Sequence, residues 1–140
     1  MDYIVLHHSL TEDSDTLSWR AIRKFHKDKQ NWRDIGYHFG IEKICGSYEI
    51  LVGRMLTEEG AHVKGHNRNT IGICLIGDFD NSLPNTKQWY LAIKLVASLC
   101  KLFNLDSSNV LGHNEFDKAK SCPGKNFSMT KFRESLKDVL

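Results

Sequence analysis

Two histidines and one cysteine stand at positions where metal-binding side chains are common in α/β proteins. His7 ends an apolar run near the start of the chain, His113 follows a second such run, and Cys122 lies in the loop beyond it. Open α/β sheets place their binding sites at the ends of strands. Two imidazoles and one thiolate are typical zinc ligands, and three protein ligands leave the fourth tetrahedral position free for water. The set therefore predicts a hydrolytic centre with one Zn²⁺ ion.

Each of these residues also has a structural explanation. A chain with seven histidines will place some of them at strand ends for packing alone, and Cys122 could be an ordinary buried thiol. Against that reading, Cys122 lies beside Pro123 and Gly124 in a polar loop, which is a poor place for core packing. Lys120 precedes it by two positions, and its ammonium group could stabilise the oxyanion that forms when a carbonyl is attacked.

The first apolar segments predict a strand followed by a helix. Residues 3–6 form a short apolar run with β-branched members, and the polar stretch 9–14 after it predicts a loop. Residues 18–29 have the spacing of a helix, with Asp15 or Ser18 as its N-terminal cap. Its buried stripe is predicted to consist of three apolar residues spaced three apart, namely Trp19, Ile22 and Phe25.

The middle of the chain predicts a hairpin and a central strand. Segments 37–44 and 48–52 are rich in β-forming residues and flank a short turn, which is typical of a hairpin. Residues 70–76 are almost wholly apolar and end at a Gly-Asp pair. A strand of that composition is usually covered on both faces of a parallel sheet.

The last third of the chain predicts two helices around one short strand. A long helix begins at Asn85 or Thr86, a strand covers 109–112, and a closing helix lies within 127–140. The long helix has a stripe of buried positions, namely Trp89, Ile93, Val96, Ala97, Cys100 and Phe103. The closing helix has Met129, Phe132, Leu136 and Val139 in register. Strands separated by helices predict an α/β fold: a single domain spanning 1–140 with a central mixed β-sheet flanked by helices.

Composition restricts the classes of partner. The net charge is +2 without long runs of one sign, which argues against nucleic acid. The first residues have neither the basic region nor the apolar core of a signal peptide, so we expect synthesis in the cytoplasm and no membrane span. A cytoplasmic setting also keeps cysteines reduced. Cys74 and Cys100 are expected to pack in the core.

Five segments in order resemble one enzyme family. They are 5–9 (VLHHS), 34–39 (DIGYHF), 60–67 (GAHVKGHN), 71–73 (IGI), and 112–113 (GH) with 120–123 (KSCP). Together they are similar to the zinc N-acetylmuramoyl-L-alanine amidases of the bacteriophage-lysozyme type, which are relatives of the peptidoglycan recognition proteins. The resemblance runs from residue 3 to about residue 124.

The resemblance implies a role for each matching residue. His7, His113 and Cys122 are implied as zinc ligands, and Tyr37 and Lys120 as catalytic residues. The family's groove residues correspond to two further side chains, His62 and Asn67. The implied reaction is hydrolysis of the amide bond between N-acetylmuramic acid and L-alanine in bacterial peptidoglycan. We expect a monomeric phage-type endolysin that reaches the wall after release across the host membrane.

Other functions remain open on the sequence. A peptidoglycan-binding module without activity is one alternative, although such proteins typically lack the cysteine ligand. A cytosolic cell-wall-recycling amidase is another, but those relatives commonly carry a carboxylate at the position of Cys122. Some phage members also bind an RNA polymerase, which this sequence does not test. The hairpin turn departs from the family pattern and predicts an exposed Cys45, and Arg54, Lys64 and Arg68 could read stem-peptide carboxylates or be solvated surface charge.

Overall fold

A five-stranded mixed β-sheet organises the part of the chain described by this computed structural model, residues 1–10 and 18–140. The predicted capping by Asp15 or by the Ser18 side chain lies outside what is described, as does most of the predicted loop 9–14. The elements in chain order are β1 (Tyr3–His8), α1 (Ser18–Asp28), β2 (Phe39–Ile44), β3 (Ser47–Val52), β4 (Thr70–Leu75), α2 (Thr86–Phe103), β5 (Val110–Gly112) and α3 (Met129–Lys137).

The strand order is β3-β2-β4-β1-β5, and only β3 runs antiparallel to its neighbour. Strand β1 lies between β4 and β5 and is parallel to both. The carboxyl ends of β1, β4 and β5 therefore meet at one edge of the sheet, where ligand sites of open α/β sheets form. This arrangement confirms the predicted α/β fold with a central mixed sheet.

One face of the sheet carries the main hydrophobic core. Ile4 and Leu6 of β1 and the alternate residues of β4 are fully buried there against α2 and α3. Helix α2 begins where the sequence predicted, because the side chain of Asn85 accepts a hydrogen bond from the backbone N–H of Lys87. It ends at Asn104, which adopts a left-handed conformation at φ 55°. None of the described helices is both long and apolar enough to cross a bilayer.

The opposite face is covered by α1 and by the segment before β2. Trp19 packs there with Ile35, Cys74 and Ile76. Burial falls along α1, since Trp19 is buried whereas Phe25 is 52% exposed. The prediction that Phe25 belongs to the buried stripe is therefore wrong, because only the first turns of this helix contact the sheet.

Two further sequence predictions are corrected at element ends. Strand β2 begins at Phe39 rather than at Tyr37, which lies in the segment before it. Helix α3 ends at Lys137, so Val139 lies beyond it and is 48% exposed. Apolar spacing located both elements but not their ends, which are the least certain part of such predictions.

Three of the four cysteines have the environments that the sequence predicted. Cys74 and Cys100 are buried free thiols, and Cys45 is an exposed one. Cys45 and Gly46 form a two-residue turn between paired residues Ile44 and Ser47, with φ of 50° and 84°. Positive φ at both central positions is typical of the type I′ turn that suits a hairpin.

Gly40 provides a test of the packing on the α1 face. A methyl group at this position would overlap the six-membered ring of the Trp19 indole. We expect Gly40→Ala to lower the free energy of unfolding by about 1–3 kcal/mol, as overpacked cores do, measured by urea denaturation. The loss should shrink in a Trp19→Phe background, where the ring is smaller. An equal loss in both backgrounds would show that Trp19 is not the obstacle.

Candidate metal centre

The three predicted ligands converge at the carboxyl edge of the sheet. One ligand atom from each of His7, His113 and Cys122 lies within 4.8 Å of the other two. The Sγ atom of Cys122 is 3.6 Å from Nδ1 of His7, and the ring centroids of His7 and His113 are 4.7 Å apart. His7 is the penultimate residue of β1, and His113 directly follows β5. The parallel pairing of these two strands brings the two histidines together.

The protonation states of these side chains suit a metal ion. Burial, followed by the neighbouring His62 and His113, lowers the pKa of His7 well below its ordinary value. Burial and the charge of Lys120 lower the pKa of His113. Both imidazoles are therefore neutral at pH 7 and have a lone pair to donate, which metal binding requires.

Cys122 is held at the end of β1 by backbone hydrogen bonds. The backbone N–H of His8 donates to the Cys122 Sγ atom at 3.3 Å, on the side of β1 where β5 no longer continues. The Cys122 carbonyl accepts a hydrogen bond from the N–H of Asn114 at 2.7 Å. Burial raises the pKa of the Cys122 thiol to about 12, and the bond from His8 opposes that shift. A cation at this position would favour the thiolate over the thiol.

Asp80, which the sequence analysis did not single out, ties the Cys122 loop to the loop after β4. Its carboxylate accepts hydrogen bonds from the Ser121 hydroxyl and from the Lys125 backbone N–H, both at 2.9 Å. Its carbonyl accepts a third from the Asn126 side chain at 3.1 Å. The bonds from Lys125 and Ser121 lower the pKa of Asp80. The available signal in the sequence was the acidic pair Asp78 and Asp80 at the end of the central strand.

A second carboxylate fixes the segment that carries His113. Glu115 accepts a hydrogen bond from the Gly112 backbone N–H at 2.7 Å and forms an ion pair with Arg133 of α3 at 3.1 Å. Arg133 also donates to the carbonyl of Val110 at 2.9 Å. The closing helix thus supports the candidate site as well as the core.

Tyr37 and Lys120, the two predicted catalytic residues, lie in the same cavity as the three predicted ligands. The ring centroids of Tyr37 and His7 are 5.1 Å apart. Burial raises the pKa of Tyr37 well above its ordinary value, and its side chain hydrogen-bonds the thiol of Cys74. The phenol therefore keeps its proton. Lys120 is exposed, and its charge acts on both His113 and Cys122.

All seven predicted site residues line one cavity of about 720 Å³. Its wall combines the ligand set with polar and aromatic side chains, which suits a substrate that is both polar and extended. His26 and Trp32 also contribute to this wall. Their rings are 4.7 Å apart at the centroids, and no motif marked them in advance.

His62 and Asn67 line the cavity, but their closest partners are within the protein. Nδ1 of His62 is 3.0 Å from Nε2 of His7, and its Nε2 is 3.1 Å from the Thr70 hydroxyl. Burial lowers the pKa of His62 to about 3. The side-chain oxygen of Asn67 accepts hydrogen bonds from the backbone N–H groups of His62 and Val63, both at 2.8 Å. Contact of either side chain with substrate stays a prediction.

Three basic residues, Arg54, Lys64 and Arg68, were candidates for binding stem-peptide carboxylates. Only Lys64 lines the cavity. Arg54 is buried, and its guanidinium donates to the backbone carbonyls of Ile35, Glu59 and Asp34. Arg54 therefore stabilises the loops rather than facing a ligand. Arg68 is exposed and lies outside the cavity wall.

A family match, sequence relatives and solved structures all connect this chain with the same group of proteins. The family described as N-acetylmuramoyl-L-alanine amidase matches residues 1–125. The endolysin of Escherichia phage T7 is 44% identical over 128 residues, covering 87% of this chain and 80% of the endolysin. Among solved structures, the N-acetylmuramoyl-L-alanine amidase LysC from Clostridium intestinale URNW has a TM-score of 0.82 at 28% identity, covering 97% of this chain and 85% of LysC. Drosophila PGRP-LB in complex with tracheal cytotoxin has a TM-score of 0.79 at 31% identity, covering 90% and 76%.

The role of Asp80 can be tested through metal affinity. Replacing Asp80 by Ala removes two hydrogen bonds that fix the Cys122 loop, and we expect it to weaken the binding of a divalent metal ion by about 10–100-fold, as loss of an outer-shell partner does. Competition with a chromophoric chelator measures this change. Asp106→Ala is the matched control, because Asp106 accepts two comparable hydrogen bonds from Ser108 outside the site. Equal affinities of the two variants would refute the role of Asp80.

Proposed function

This chain belongs to the N-acetylmuramoyl-L-alanine amidase family, and we propose that His7, His113 and Cys122 hold the zinc ion on which its activity depends. The chain is an enzyme that hydrolyses the amide bond between N-acetylmuramic acid and L-alanine in bacterial peptidoglycan. The observation that carries the metal assignment is the convergence of three ligand atoms within 4.8 Å in the wall of the cavity.

The chemistry of the donor atoms favours zinc over magnesium and calcium. Two imidazoles and one thiolate are borderline-soft ligands that suit zinc, whereas magnesium and calcium prefer oxygen donors. A bound zinc ion supplies Lewis acidity, which polarises a carbonyl and lowers the pKa of water to about 7. With three protein ligands, one coordination position is left for that chemistry.

Lys120 supplies positive charge where negative charge develops in the reaction. Its ammonium group is exposed at the cavity wall, close enough to act electrostatically on His113 and Cys122. Attack on the lactyl carbonyl of muramic acid generates an oxyanion, and Lys120 stabilises it. A single preorganised donor of this kind typically contributes about 10²–10³ in rate.

Tyr37 supplies a protonated phenol at the wall of the same cavity. Because burial raises its pKa well above the ordinary value, the hydroxyl keeps its proton at neutral pH and is available as a hydrogen-bond donor. We assign it to orienting the attacking water or the tetrahedral intermediate, and to assisting protonation of the departing alanine amine.

The whole chain forms one catalytic domain in this proposal. Although the family match ends at residue 125, Phe132 and Leu136 of α3 are fully buried in the main core. Arg133 of the same helix reaches the His113 segment through Glu115. Removing α3 would therefore expose core surface and release one side of the site.

A phage-type endolysin is the biological role that the relatives support. Two phage endolysins are 44% identical to this chain over most of their length. Cys122 distinguishes the site from recycling amidases, in which a carboxylate is expected at that position. A binding module without activity is disfavoured because Tyr37, Lys120 and the complete ligand set share one cavity.

Metal removal tests the proposed centre directly. Protein stripped by a chelator should lose the ability to clear cell walls and regain it with Zn²⁺, and the new amino termini should be L-alanine. Cys122→Ser should lose zinc and lysis together. Cys45→Ser is the control, since Cys45 is exposed on the distant hairpin turn, and it should retain both. Activity that survives complete metal removal would contradict the proposal.

Lys120→Ala should separate catalysis from metal binding. We expect about a 10²–10³-fold loss of rate with unchanged zinc affinity, because Lys120 stabilises charge but is not a ligand. Lys118→Ala is the matched control, as Lys118 is also exposed but does not line the cavity. Clearing of cell walls by Lys120→Ala at the normal rate would exclude this role.

A further inference from the structure

His62 occupies a closed position between His7 and Thr70. Both of its ring nitrogens have partners, at 3.0 Å to Nε2 of His7 and at 3.1 Å to the hydroxyl of Thr70. Its backbone N–H is also fixed, because it donates to the side-chain oxygen of Asn67. The ring has little freedom to turn towards a ligand without breaking these contacts.

The sheet itself makes room for this imidazole. A methyl group added to Gly72 of β4 would lie 2.6 Å from the His62 ring, and one added to Gly60 would lie 2.7 Å from it. Neither glycine has a positive φ, so neither is required by backbone conformation. The lack of a side chain at Gly72 therefore leaves room for the His62 ring against the sheet, whereas a methyl group at Gly60 would also meet the Gly36 carbonyl oxygen and the His38 ring, both at 2.9 Å.

The hydrogen bonds of Thr70 determine the direction of the whole chain of contacts. The Thr70 hydroxyl lies 2.8 Å from the carbonyl of His66 and 3.1 Å from that of Asn67. Carbonyl oxygens can only accept, so the single hydroxyl proton is directed to them. The Thr70 oxygen must then accept the proton on Nε2 of His62.

The position of the proton on His62 also determines the tautomer of His7. With its proton on Nε2, a neutral His62 presents a lone pair at Nδ1. That lone pair accepts the hydrogen bond from Nε2–H of His7. The Nδ1 atom of His7 is then left unprotonated, and it is this atom that lies 3.6 Å from the Cys122 Sγ atom.

We propose that His62 is a positioning residue, which holds His7 in the tautomer with its proton on Nε2 and aims Nδ1 at the metal. This inference rests on the proposed metal site and replaces direct substrate contact as the main role of His62. A partner that accepts the second N–H of a metal-ligating histidine fixes its orientation and raises its basicity. Thr70 and the two backbone carbonyls in turn fix His62.

Two substitutions of nearly the same shape separate hydrogen bonding from packing. In His62→Asn, the side-chain oxygen can replace Nδ1 as the acceptor for His7. In His62→Leu, an equally branched side chain offers no acceptor. We expect His62→Leu to weaken zinc binding by about 10–100-fold in chelator competition and His62→Asn to stay within a few fold of the parent protein.

Nitrogen NMR on the metal-free protein gives a second readout that does not involve activity. Long-range correlation of ring protons with ¹⁵N should show His7 with its proton on Nε2 in the parent protein and in His62→Asn. In His62→Leu we expect His7 to lose this single state and populate both tautomers. Because the parent protein alone reports the tautomer, the test holds even if one variant fails to fold.

Two outcomes would overturn the proposal. One is a proton on Nδ1 of His7 in the metal-free parent protein. The other is unchanged zinc affinity in His62→Leu, and a raised KM in both variants would then identify His62 as a substrate-binding residue. The tautomer of His7 and the zinc affinity can both be measured whether or not the zinc-loaded chain is an amidase, and failure of that assignment would appear as absent hydrolysis with an intact His7 tautomer.

Discussion

The parallel pairing of β1 with β4 and β5 is the constraint on which the rest of the site depends. The register places Leu6 beside both Ile73 and Gly112, so His7 and His113 emerge next to each other at the edge of the sheet. Side chains alternate between the two faces of a strand, and a shift of one residue would turn His7 into the core and Leu6 towards the cavity. The apolar residues of β1 thus fix the position of a metal ligand through their own burial.

Burial acts on apolar side chains on one face of the sheet and on histidine rings on the other. On the α2 and α3 face it removes apolar surface from water and stabilises the fold. On the other face it surrounds His7, His62 and His38 with little solvent, which lowers the pKa of each ring and keeps them neutral. Neutral imidazoles form directed hydrogen bonds without mutual repulsion, and they remain ready to donate a lone pair. A site built in this way gains stability when a cation binds, because the folded state alone presents the ligands together.

Two of the three proposed ligands, His113 and Cys122, lie beyond the strands, and charged side chains hold their segments in place. Asp80 ties the Cys122 segment to the end of β4, while Glu115 and Arg133 tie the His113 segment to α3. Hydrogen bonds to ionised groups are stronger than neutral ones, which suits positions where no strand ladder is available. Preorganisation of this kind lets the ligands keep their geometry without being part of a regular element.

The sequence by itself determined the element order and the mixed sheet, and it named the three residues proposed here as zinc ligands. Apolar periodicity located β4 and α2, and the types and placement of His7, His113 and Cys122 predicted a centre that the fold brings together. Only the tertiary structure decided the partners of His62, the place of Asp80 and Glu115, and the burial of Arg54. These depend on contacts between residues far apart in the chain, and a polar residue of given type has the same local pattern whether it faces substrate, a loop carbonyl or another histidine. Local pattern specifies which face a residue takes, whereas packing of separate segments specifies what it meets there.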